Sequence, residues 1–71
     1  MTPSQLRQAL HELNGQRDLA VVFVQMGSEM AECRVPHAML IPDEADHLIK
    51  VTDGKHVFIL DAERIAWIRI G

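Results

Sequence analysis

The chain has 71 residues, 48% of them hydrophobic, a formal charge of −3 and a single cysteine, Cys33. That length allows one domain, burying only about 60% of the surface its unfolded chain exposes, so a lone core yields about 3–5 kcal/mol and a partner subunit is a common supplement. One cysteine excludes an internal disulfide and fits a reducing compartment. The acidic balance gives no overall attraction to phosphate, and the longest apolar run, Leu19 to Val24, is far short of a membrane helix. With no basic-then-apolar leader at the N-terminus, the expectation is a cytoplasmic protein that does not enter a membrane.

Residues 1–15 read as a helix. Thr2 can cap it, Pro3 occupies the first turn, and Gln5 completes a T-x-x-Q capping box. Leu6, Ala9, Leu10 and Leu13 form one apolar stripe, and Asn14-Gly15 offers a left-handed exit. Three turns are not stable alone in water, so the stripe must dock on something.

Five strands are then predicted, near 18–26, 29–41, 47–53, 55–61 and 65–70. The first is apolar on both faces through Val21, Val22, Phe23 and Val24. Met26-Gly27-Ser28-Glu29 suits a tight turn. The next strand alternates, with Ala31, Cys33 and Val35 against Glu32 and Arg34, and continues to Ile41 as one long strand bent at Pro36, which cannot donate to a ladder. After the acidic loop Pro42 to Asp46, Asp53-Gly54 predicts a two-residue hairpin turn. It sets Thr52 opposite Lys55, Lys50 opposite Val57 and Ile49 opposite Phe58. A short turn at Asp61 to Arg64 leads to the last strand, where Ile65, Trp67 and Arg69 share one face and Ala66, Ile68 and Ile70 the other.

This order of elements resembles the Sm-like small β-barrel superfamily, including its bacterial RNA chaperone type, and its best segment is VFILDAERIAWI, residues 57–68. The resemblance implies a mainly β fold over 1–71: a helix at 1–15, then a five-stranded, bent antiparallel barrel at 18–70. It also implies rings, because members of that superfamily pair the fourth strand of one subunit with the fifth of the next. Such pairing would cover two exposed edges and supply the burial a short chain lacks. The oligomer interface candidates are Val57, Ile59, Trp67 and Ile68. In the RNA-contacting connection of that superfamily, Arg-Gly or Tyr-Lys-His stands where this chain has Leu60-Asp61 followed by Ala62-Glu63. Carboxylates there repel phosphate, so the fold can be inherited without its ligand.

The chemistry-bearing residues give no enzyme signature: neither G-x-S-x-G nor H-E-x-x-H occurs. Cys33 and His37 are four apart, which zinc would accept, but Pro36 lies between them and no second C-x-x-C or H-x-x-H pair exists, so no metal or other cofactor is expected. Should RNA bind, the helix side offers Arg7, His11 and Arg17 as contacts. The functional expectation is a non-enzymatic, self-assembling binding or scaffold module whose partner is itself, with an RNA-binding ring as the alternative.

Overall fold

The computed structural model describes residues 1–25, 27 and 29–71. Its elements in chain order are α1 (Pro3–Leu10), β1 (Leu19–Val24), β2 (Met30–Val35), β3 (Met39–Leu40), β4 (Ile49–Thr52), β5 (Val57–Leu60), a single 3₁₀ turn (Ala62–Arg64) and β6 (Ile65–Ile70). The fold is mainly β with one N-terminal helix. The expected five-stranded closed barrel is corrected: among the described residues six strands form two three-stranded antiparallel sheets, ordered β2-β1-β6 and β3-β4-β5, with no closure between them. No helix among the described residues is long and apolar enough to cross a membrane.

The capping box is present, with Gln5 N donating to Thr2 Oγ1 at 3.1 Å and Thr2 N to Gln5 Oε1 at 3.0 Å. The helix ends earlier than its apolar stripe, at Leu10. Beyond it Asn14 is drawn into a bridge with Met39, while Leu13 still reaches the core from a turn. Leu6 and Leu10 are fully buried and meet Leu19, Val21, Val35, Ile49 and Val51 between the two sheets.

The predicted long strand splits because the chain turns at Pro36-His37. Pro36 has no N–H for the ladder, and His37 takes a left-handed φ of 49°. The corner is pinned from the segment before β1. Asp18 Oδ1 accepts from His37 N at 3.1 Å, Ala38 N donates to Arg17 O at 2.9 Å, and Gly15 N to Ala38 O at 2.9 Å. Gly15 itself has φ +87°, but the helix has already ended at Leu10 with a right-handed cap at His11, so Asn14-Gly15 turns the chain toward β1 and is not the predicted helix exit.

The β4–β5 hairpin is also corrected. Thr52 faces Val57, Lys50 faces Ile59 and Ile49 faces Leu60, so the loop holds four residues rather than two. Side chains make this longer loop favourable: Asp53 Oδ1 accepts from Lys55 N at 2.8 Å and His56 N at 2.7 Å, and Thr52 Oγ1 donates to His56 O at 2.7 Å. The shift is by two residues, and side chains alternate with period 2, so the face assignment survives. Ile49, Val51, Phe58 and Leu60 face the core, while Val57 and Ile59 face out.

In β6 the face assignment does change. Val22 pairs with Trp67 but Phe23 pairs with Ile65, leaving Ala66 as a bulge. Ile65 is therefore buried beside Phe23, with Trp67 and Arg69 on the outer face. The predicted turn at 26–29 includes Met26 and Ser28, which lie outside the described residues. Beside them Val24 pairs with Met30, and Gln25 N donates to Glu29 O at 2.6 Å.

Leu10 is fully buried in the core, and truncating such a leucine costs about 2–5 kcal/mol. That is comparable to the whole stability of a domain this size. Leu10→Ala is expected to unfold the protomer, seen as loss of the cooperative transition in thermal circular dichroism.

Candidate self-assembly edges

Among the described residues β2, β3, β5 and β6 are edge strands, β5 hydrogen-bonding only to β4 and β6 only to β1, and these last two follow one another in the chain. Each therefore presents one unpaired side of backbone N–H and C=O groups, the feature by which sheets add further strands. The two edges are held close together because only residues 61–64 separate them. Asp61 caps the 3₁₀ turn, accepting from Glu63 N at 3.1 Å, and Arg64 N donates to Asp61 O at 3.1 Å. Ala62 anchors the turn in the core, and the N-terminal ammonium donates to its carbonyl at 3.3 Å.

The edges are apolar on both faces. Outward, Val57 is 58% exposed, Ile59 60% and Trp67 47%. Inward, Phe58, Leu60, Ile68 and Ile70 lie against the core yet are only half-buried. The structure thus brings Val57 and Ile59 together on one edge and places Trp67 and Ile68 on the other, Ile68 facing in. Phe58, Leu60 and Ile70 were not singled out from the sequence. The period-2 pattern carried that signal, since each alternates with an interface candidate.

Of the residues considered for nucleic acid, Arg7 and His11 line one depression together with Asp43. Arg7 lies only 18% exposed along its side chain, donating to Ile41 O at 3.3 Å and Leu48 O at 3.0 Å, with Asp43 Oδ1 at 3.6 Å. Its guanidinium ties the two ends of the 41–48 loop to the helix. Arg17 is exposed and sits 3.5 Å from Glu12, and His11 is exposed at the end of α1. Arg34, Lys50 and Arg64 likewise meet carboxylates. Lys50 Nζ reaches Glu44 at 2.7 Å and Asp46 at 2.8 Å, which raises the Lys50 pKa and lowers that of Asp46. Cys33 faces the core side of β2, whereas His37 is exposed at the corner. Among the described residues no group of His, Cys, Asp or Glu is arranged to hold a metal ion.

Comparison with family models, with curated proteins and with solved structures returns no match. The reading therefore rests on the geometry of this chain.

Asp53, which sets where β5 begins, has its carboxyl lowered to about 2 from 3.8. The N–H groups of His56 and Lys55 do most of this, with the His56 ring contributing. A depressed folded-state pKa gives stability that is fully present above the unfolded value and disappears as pH falls through the folded one. Acid titration followed by circular dichroism should show the hairpin's contribution intact at pH 5 and lost between about pH 4 and pH 2. Asp53→Ala should be less stable than the wild type at pH 7, with the difference gone near pH 2.

Proposed function

We propose that the chain is a non-enzymatic, self-assembling binding or scaffold module whose copies join β5 of one to β6 of the next. The observation that carries this is the pair of adjacent, unpaired and apolar strand edges. With β2 and β3 counted as halves of one strand bent at Pro36-His37, β5 is the fourth strand and β6 the fifth. These are the strands through which the Sm-like resemblance implies ring formation. The two kinds of edge are different surfaces, so a pair of copies joined once still offers one free β5 and one free β6. A heterologous contact of this sort ends only when the series closes on itself.

The energetics favour closure. Full burial of a Val or Ile is worth about 1.5–3 kcal/mol, so covering what is exposed of Val57 and Ile59 contributes about 1–2 kcal/mol each, with Trp67 and the ladder bonds adding to it. Association costs about 4–15 kcal/mol in lost freedom. A single seam leaves little surplus, whereas in a ring every copy is held at two seams.

Light scattering at micromolar concentration is expected to give a multiple of 8.0 kDa. Ile59→Lys and Trp67→Lys should each yield an 8.0 kDa protomer with an unchanged far-ultraviolet spectrum. Ile59 is the cleaner site, since its side chain faces out. A wild-type monomer, or assembly indifferent to Ile59→Lys, would contradict the reading.

A further inference from the structure

Where β5 and β6 fail to meet, the space between the sheets opens as a cleft of about 360 Å³. Val21, Phe23 and Cys33 form its floor, Phe58 and Leu60 one wall, and Arg64 stands at the mouth beside Asp61. This volume lies at the small end of the range for small-molecule sites, about 300–1,000 Å³. Ile59 and Ile65 complete the lining, so the cleft lies beside the proposed seam on β5 and shares Ile59 with it.

Its chemistry is apolar inside with one ion pair, Arg64 with Asp61, at the rim. Arg64 approaches Asp61 through Nε alone, at 3.5 Å, and that contact is exposed on both sides. Its two Nη groups make no hydrogen bond among the described residues and present a planar fork of the kind that carboxylates take in bidentate fashion. Asp61 is turned toward its own 3₁₀ turn by the Glu63 N–H and remains solvated. We propose that the inter-sheet cleft binds a short- to medium-chain aliphatic carboxylic acid, with the alkyl chain over Val21, Phe23 and Cys33 and the carboxylate on Arg64.

Calorimetric titration of the wild-type chain with hexanoate, octanoate and decanoate at submicellar concentration tests this. Each methylene should tighten binding about fourfold until the cleft is full, after which affinity levels off. Arg64→Gln should weaken octanoate about tenfold and leave octanol unchanged. Cys33 is the single cysteine, so its alkylation by iodoacetamide reports the location, and saturating octanoate should slow it at least fivefold. Binding that climbs without levelling, that ignores Arg64, or that leaves Cys33 alkylation unslowed would overturn the proposal. Light scattering on the same samples separates this from the self-assembly reading. An assembled protein that binds no acid sinks the cleft alone, and a monomer that binds it sinks the assembly alone.

Discussion

The corner at Pro36-His37 is the constraint on which the rest of the structure depends. A single strand running from Met30 to Leu40 would keep all strands in one sheet, and one short helix could cover only part of it. The missing N–H of Pro36 and the left-handed His37 let the chain change direction there. Asp18, Arg17 and Gly15 supply the hydrogen bonds that hold the new direction. Two layers result, and the space between them receives Leu6 and Leu10 from the helix. The same corner sends β5 and β6 to neighbouring positions at the rim without pairing them, so the core and the open edges share one cause.

Much of this was legible in the sequence, because local patterns decided it. The capping box, the Leu6-Leu10-Leu13 stripe and the bend at Pro36 are each set by residues close in the chain, whereas the helix end expected at Asn14-Gly15 falls at Leu10. The hairpin shows where such reading stops. Its faces were right and its register wrong by two, since the alternation of Ile49, Val51, Phe58 and Leu60 constrains parity and not position. Position was decided by the Asp53 and Thr52 side chains, which stabilise a four-residue loop. In β6 the one-residue bulge at Ala66 moved Ile65 from the expected Trp67-Arg69 face to the Ile68-Ile70 face, and nothing in the pattern IAWIRI marks that bulge.

The candidate site divides the same way. Val57, Ile59, Trp67 and Ile68 were identifiable as apolar residues in excess of what one small core can bury. Whether barrel closure would bury them was not, because that depends on the angle the corner imposes between sheets. Arg7 illustrates the limit for charged residues. Helical spacing places it beside His11, but its long side chain turns back to the carbonyls of Ile41 and Leu48, and the position of that loop is a tertiary fact. Five of the seven lysines and arginines meet a carboxylate, leaving Lys55 and Arg69 as the two without an ion pair among the described residues. Only Arg7 and Lys50 meet theirs with shielded side chains, and the pairs of Arg17, Arg34 and Arg64 are exposed and contribute little to the fold.

β5 and β6 present two unlike apolar edges, and the proposed assembly has them satisfy one another across copies. Mixing two variants tests this directly. Ile59→Lys blocks the β5 edge and leaves β6 intact, and Trp67→Lys does the reverse. Mixed at equal, submillimolar concentration, where one weak seam can still form, the two variants are predicted to give a 1:1 heterodimer that grows no further, measurable by analytical ultracentrifugation. A mixture that stays entirely monomeric, or variants that each self-associate alone, would contradict the account.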